Sequence, residues 1–452
     1  MGKLSPGVSC DPNFPPLAAR GESTIGRVPS AAGADARRRD AGDTGISSRS
    51  ANAADAPAPP EPFGRIGIAG NLCVARRQRC PRIASSSRLD LARNTYARDL
   101  LYFHHGLLAT DSLVCPKLYP GGMFESIRLN GKTIAPALFL APMAGITNSA
   151  FRRLLADFGG YGALTTEMLS ASAFLRENTA QSAFSKRRDC EGLVIYQLRA
   201  SGEEDLEATF AKLEKQNPAA IDLNLGCPAP EIQKQASGAA LFRDFERLKQ
   251  VLKRIRACYR GTLTVKCRLG DDPERWREPF LERLRLFEDS DVHAITVHPR
   301  FSKEKLKRGA RWKEFPWIAA RTRLPIIGNG DVCSLRDLQE NRAYFNPLAG
   351  LMLGRIVAQK PWIFREFAGY PPLAINHAEV WDRLYHYTLE DLPPERAIGR
   401  MKEFTAYFSK NFFFGHELQK GSQKARTVFE IREAAMRFLE SNPKLAGVQP
   451  VY

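Results

Sequence analysis

Between about Ala135 and Phe364 the chain repeats one pattern: a short apolar run, a polar or Gly/Pro break, then a longer amphipathic or charged segment. The apolar runs close at Ala141 and Pro142, at Thr165 to Met168, at Gln197, at Asn224 to Cys227, at Lys266, at His298, at Asn329 and at Gly354. These eight ends follow one another at intervals of about 25 to 40 residues, room for a strand, a helix and two loops. The pattern therefore predicts eight consecutive βα units closing into a (β/α)8 TIM barrel. In such a barrel the active site lies at the carboxyl ends of the strands, where the polar residues fall.

The flanks read differently. Residues 1–122 contain stretches such as AAGADARRRD and ANAADAPAPPEPF, rich in Ala, Gly, Pro, Ser and Arg and without apolar periodicity. Such a composition cannot bury enough surface to offset the entropy of ordering, so a largely disordered N-terminal extension is expected. An Arg-rich transit peptide is the alternative, against which ten acidic residues argue, and Met123 is a possible natural start. The barrel is expected over 123–370. A small helical bundle over 371–452 follows, built from IGRMKEFTAYFSKNFFFGHEL and KARTVFEIREAAMRFLE with a break at Gly421.

Charge narrows the partners. The formal net charge is +17 over 452 residues. The first 122 residues hold 16 basic and 10 acidic side chains, a balance of +6, which leaves +11 on the rest. A polyanion, foremost a nucleic acid, is the partner such a surface suits. The first bundle helix interleaves Arg400, Lys402, Lys410 and Lys420 with Tyr407, Phe408, Phe412 and Phe413, a mix able to meet RNA phosphates and bases, although for each ring inward packing is the favoured reading. The nine cysteines form no CxxC pair and no zinc spacing, so neither a disulfide framework nor a metal site is suggested, and a reducing, cytoplasmic setting fits. No apolar run is long enough to span a bilayer.

The stretch Asp222 to Leu241, DLNLGCPAPEIQKQASGAAL, presents Asn224, Gly226 and Cys227 where a strand gives way to a proline-rich turn. A thiol there is placed to meet a ligand, although a buried, space-filling cysteine is the competing reading. The seventh and eighth ends, Gly328-Asn329-Gly330-Asp331 and Gly354-Arg355, offer glycine backbones and a guanidinium to a phosphate. Lys266 and His298 are aimed over the barrel mouth, and Gln197 can both donate and accept, as a flavin edge requires.

Taken together, APMAGITNSAFRRL, TEM, YQL, DLNLGCP, VKCRLG, TVHPR, IIGNGD and MLGR, in this order, resemble the tRNA-dihydrouridine synthase family closely from about Met123 to the mid-360s and loosely beyond. The resemblance implies an enzyme that holds FMN, reduces a uridine of tRNA to dihydrouridine and takes electrons from NADPH or NADH, working as a monomer without metal or membrane. It implies that Pro142, Met143 and Ala144 line the isoalloxazine ring, which Gln197 and Lys266 hydrogen-bond and His298 adjoins. Asn329, Gly330, Asp331, Gly354 and Arg355 are implied at the ribityl phosphate, Asn224 and Arg300 at the substrate, and Cys227 as the proton donor.

Two stretches depart from the family. A Lys-Lys-Gly-x-Gly run is replaced by Lys234-Gln235-Ala236-Ser237-Gly238. A Tyr-x-Gly-x-Ala-Asp-Trp run becomes Leu306-Lys307-Arg308-Gly309-Ala310-Arg311-Trp312, where Arg311 is expected to add positive potential at the RNA entrance. A dihydroorotate dehydrogenase-like enzyme acting on a free pyrimidine and a non-catalytic tRNA-binding protein are the rival readings; the basic charge disfavours the first and an intact Cys227 and Lys266 the second.

Overall fold

The computed structural model describes residues 122–446. The extension expected over 1–122 therefore lies, up to residue 121, outside the described residues.

A hairpin of β1 (Ile127–Leu129) and β2 (Lys132–Ile134) opens the described chain, its two-residue turn formed by Asn130 and Gly131. Both turn residues have positive φ, 45° and 79°, the conformation that Asn-Gly adopts readily. The barrel follows: β3 (Leu138–Leu140), β4 (Leu164–Thr165), β5 (Leu169–Ser170), β6 (Val194–Arg199), β7 (Ala220–Leu225), β8 (Leu263–Arg268), β9 (Ala294–His298), β10 (Ile326–Asn329) and β11 (Gly350–Leu353). All pair in parallel in the order β3-β11-β10-β9-β8-β7-β6-β4. The ring closes where Leu140 N–H donates to Ala163 O at 3.1 Å and Gly162 N–H to Leu138 O at 2.9 Å. The expected second strand is split: β4 and β5 both pair with β6, and Thr166 to Met168 arch between them.

Between strands the amphipathic segments form the outer helices. Phe245–Cys258 shows why: the Asp244 side chain caps Arg247 N–H at 3.0 Å, and Leu248, Val251, Leu252 and Ile255 recur at helical spacing and are buried.

After the barrel come helices His377–Asp391, Pro394–Phe408, Gly415–Lys424 and Val428–Leu439. Ion pairs fasten the first of them to the barrel: Asp391 accepts from Arg188 at 2.6 Å and Lys186 at 2.8 Å, and Asp157 from Arg383 at 3.2 Å. The break expected at Gly421 falls later. Gly421 lies within a helix, close to Ala434, and the next helix starts at Val428 behind the Thr427 cap. On the helical stretch 398–418 most of the rings pack inward, the favoured of the two readings. Tyr407, Phe408 and Phe412 are buried, with Phe404 and Phe408 stacked at 5.1 Å, while Phe413 is exposed beneath the Lys444 ammonium. An apolar stripe facing the barrel had the stronger claim on these rings than solvent. Among the described residues no helix is long and apolar enough to cross a membrane.

Candidate active site

The strand ends converge as the alternation of apolar and polar residues requires. On β7, Asp222 and Asn224 point to one face, and cross-strand register sets Gln197 and Thr264 beside Asp222 and Lys266 beside Asn224. Gln197 and Lys266 lie two residues inside their strands rather than at the last position, so they enter the mouth from within the barrel.

Their contacts form one chain. Thr264 Oγ1 donates to Asp222 Oδ1 at 2.7 Å and Gln197 Nε2 to Asp222 Oδ2 at 2.8 Å. Asn224 Nδ2 donates to Gln197 Oε1 at 2.8 Å, and Asn224 Oδ1 accepts from Cys227 N–H at 3.0 Å and Gly226 N–H at 3.3 Å. Asn224, expected at the substrate, thus ties Gln197 to the loop that carries the thiol. Gln197, expected to donate and accept, has its carbonyl oxygen and one N–H already engaged. Asp222 and Thr264 were given no role from sequence, although Asp222 sits in the DLNLGCP run. Burial pushes the Asp222 carboxyl up from its ordinary value, against the two hydrogen bonds and Lys266.

Cys227 is partly exposed and its backbone is held at both ends, since its carbonyl also accepts from Ala239 N–H at 3.1 Å. Gly238, with φ 63°, makes that clamp possible, because a Cβ there would lie 2.9 Å from the Cys227 carbonyl oxygen. Cys227 is near enough for charge on it to act on Lys266 and Arg268.

Lys266 has no hydrogen-bond acceptor among the described residues. Burial, helped by the neighbouring Arg268 and opposed by Asp222, pulls its pKa to about 8. Beside it His298 receives a hydrogen bond at Nε2 from Arg300 Nη1, 2.7 Å away. Burial, then Arg268, Lys266, Arg300 and Arg355, hold the ring well below its ordinary pKa. A neutral imidazole accepting at Nε2 carries its proton on Nδ1.

Arg300, expected at the substrate, is fully buried: besides His298 it donates from Nε to Arg308 O at 2.5 Å and pairs with Asp331. Asp331, expected at a phosphate, instead accepts from Arg300, from Ala310 N–H at 2.8 Å and from Arg355 at 2.7 Å. A carboxylate repels phosphate, so its effect is to aim the two arginines. Asn329 likewise turns away, donating to Met352 O at 2.9 Å. Gly330, with φ 117°, leaves no room for a side chain against His298, and its carbonyl accepts from Trp312 Nε1 at 2.8 Å. Gly354 lies against Ala141 and Met143, which brings the loops after β11 and β3 together; Pro142 and Met143 are partly exposed and Ala144 exposed there. Arg311 adds no free charge, for it is bidentate to Glu304 at 2.5 and 2.7 Å and lies 4.7 Å over the Phe301 ring.

A second group escaped sequence reasoning. Glu167, between β4 and β5, accepts from Gly145 N–H at 2.9 Å, and Arg400, from the helix Pro394–Phe408, stands 4.0 Å from Glu167 and 3.6 Å from Glu403. Burial pushes both carboxyls up, with Arg400 opposing.

Comparison with known proteins gives the family. The family model described as dihydrouridine synthase (Dus) matches residues 139–440. The chain is 31% identical over 264 residues to tRNA-dihydrouridine synthase B of Proteus vulgaris, covering 56% of this chain and 79% of that one. It is 30% identical over 248 residues to the probable tRNA-dihydrouridine synthase of Rickettsia conorii, covering 54% and 73%. Among solved structures, the old yellow enzyme homologue of Zymomonas mobilis is 13% identical with a TM-score of 0.40, covering 58% of this chain and 96% of that one, a likeness too distant to bear on the site. With two thirds of its length matched and the motif residues gathered at one barrel mouth, the chain belongs to the dihydrouridine synthase family.

Proposed function

We propose that the protein reduces the 5,6 double bond of a uridine in tRNA, using FMN and taking electrons from NADPH. The observation that carries this reading is the pairing, in a member of this family, of a backbone-clamped Cys227 with a Lys266 ammonium that lacks any acceptor among the described residues.

The family implies a flavin, and the residues fit one. An ammonium without a partner in a barrel mouth calls for an electron-rich ligand atom, which a flavin offers at its pyrimidine edge. Gln197 retains one N–H, His298 carries a proton on Nδ1, and Arg355, held by Asp331, would with the turns of Gly330 and Gly354 hold the phosphate of FMN. A flavin held there would supply hydride transfer from NADPH to uracil C6. Cys227 gives a proton to C5 from the opposite face and regains one from water, so that one hydride and one proton are added. Lys266 offsets negative charge beside it. The helices after the barrel would meet the rest of the RNA, with Lys420 and Phe413 exposed on them.

The test is anaerobic turnover. Protein, FMN and NADPH should form dihydrouridine in unmodified tRNA and leave free uracil and orotate unreduced. Reduction of a free pyrimidine with none of tRNA would favour the dihydroorotate dehydrogenase-like alternative.

A further inference from the structure

The loop that leaves β9 carries charges that the site chemistry does not use. From Phe301 to Arg311 it runs along the rim of the barrel mouth, touching the strand ends on either side. Ser302 N–H donates to Gly270 O, after β8, at 2.8 Å, and Ala310 N–H to Asp331, after β10, at 2.8 Å. Lys305, Lys307 and Arg308 are exposed on it, and among the described residues none of their side chains makes a hydrogen bond or ion pair. The acid nearest in sequence, Glu304, is already held by both ends of the Arg311 guanidinium. The charges of Lys303 and Arg308 do act, at longer range, on Asp272 and on Glu304; Arg308 stays available because Glu304 is already held by Arg311.

The loop is pinned from below. Arg268 donates to Phe301 O at 3.3 Å and Lys305 O at 2.7 Å, and Arg300 donates to Arg308 O at 2.5 Å. Both arginines are buried. Two guanidiniums beneath its carbonyls fix the backbone, so the three outer cations are ordered before any partner arrives, which lowers the entropic cost of binding. Unpaired cations on a fixed rim suit a partner with regularly spaced negative charges.

We propose that this loop is a docking surface for the phosphate backbone of RNA, with Lys305, Lys307 and Arg308 as its contacts. The proposal rests on the tRNA reading above and adds where the backbone is gripped. Arg300 joins the grip to the site, because the guanidinium that holds Arg308 also holds His298 and Asp331.

The experiment uses the full chain loaded with FMN. In one variant Lys305, Lys307 and Arg308 are each replaced by Gln. In a control, Lys249, Lys253 and Arg260, exposed on an outer helix and the turn after it, are replaced likewise. Affinity for unmodified tRNA is measured against KCl concentration. Each lost phosphate contact lowers the slope of log K against log salt by roughly 0.7 to 0.9. The rim variant should therefore lose about two from the slope and bind at least tenfold more weakly in low salt, while the control keeps the wild-type slope. Flavin reduction by NADPH should be unchanged in both. An unchanged slope in the rim variant, with the wild type still modifying tRNA, overturns the docking surface alone, as does an equal loss in the control. Failure of the wild type to bind or modify tRNA overturns both the surface and the functional reading. A rim variant that loses only affinity for anionic vesicles assigns the charges to a lipid surface and overturns the RNA proposal.

Discussion

Asp222 fixes which way the Gln197 amide faces. With Oδ2 taking a hydrogen bond from Gln197 Nε2 at 2.8 Å and Asn224 donating to Gln197 Oε1 at 2.8 Å, the amide has one orientation that satisfies both neighbours. Asp222→Asn can keep it, since its oxygen still accepts from Gln197 and its amide nitrogen can donate to the Thr264 hydroxyl. Asp222→Ala cannot, and leaves the Gln197 and Thr264 donors buried without acceptors, a loss of about 1 to 3 kcal/mol. Titration of apoprotein with FMN should show affinity within about threefold of wild type for the Asn variant and roughly tenfold or more weaker for the Ala variant. Equal behaviour of the two would mean that Asp222 does not orient Gln197.

Lys266 gives the apoprotein a signature in alkali. Its folded pKa, about 8, is below that of a free lysine, so between about pH 8 and 10 the unfolded chain binds more protons than the folded one. Stability from this group therefore rises as pH increases through that window, with a slope of at most about 1.4 kcal/mol per pH unit. Lys266→Met should remove the rise. FMN affinity should move oppositely, falling above pH 8 in the wild type and staying flat in the variant. Denaturant melts and flavin titrations from pH 7 to 9.5 measure both.

Gly145 couples the loop after β3 to the C-terminal helices. Its φ is 84°, and a Cβ built there would lie 1.8 Å from Glu403 Oε2. Gly145→Ala should therefore displace either the Pro142 to Gly145 loop or Glu403, and strain the backbone by about 1 to 2 kcal/mol. Loss of FMN on gel filtration is the expected result. Adding Glu403→Ala should restore part of the binding by removing the clash, though the backbone strain remains. No gain in the double variant would sink the coupling.

The barrel was legible because eight apolar runs each ended in a polar, Gly or Pro break, and that regularity survives in the ring of parallel strands. The Asn130-Gly131 hairpin carried its own signal and went unread. Side-chain partners were less accessible. Residue type and strand end place Arg300 and Asn329 at the mouth, but do not show that they donate to Arg308 O and Met352 O, backbone atoms whose approach depends on how loops and strands pack. The group of Glu167, Arg400 and Glu403 unites side chains from opposite ends of the fold, and no local pattern announces it.

Cys227 is the most decisive residue to change. Its backbone, not its thiol, makes the contacts that shape the loop: the amide donates to Asn224 and the carbonyl accepts from Ala239. Cys227→Ala keeps both, so the fold and bound FMN should be retained. Reduction of FMN by NADPH should proceed at the wild-type rate, since that half-reaction requires no proton at uracil C5. Reoxidation by unmodified tRNA should slow by roughly 10² to 10⁴, the range for loss of a positioned acid. Cys258→Ala and Cys267→Ala are the controls. Cys267 is fully buried on β8, so its variant should be less stable yet oxidise at a near-normal rate. Stopped-flow mixing of reduced enzyme with tRNA separates the cases. If Cys227→Ala reoxidises as fast as wild type, the thiol is not the acid and its position at the mouth needs another reason.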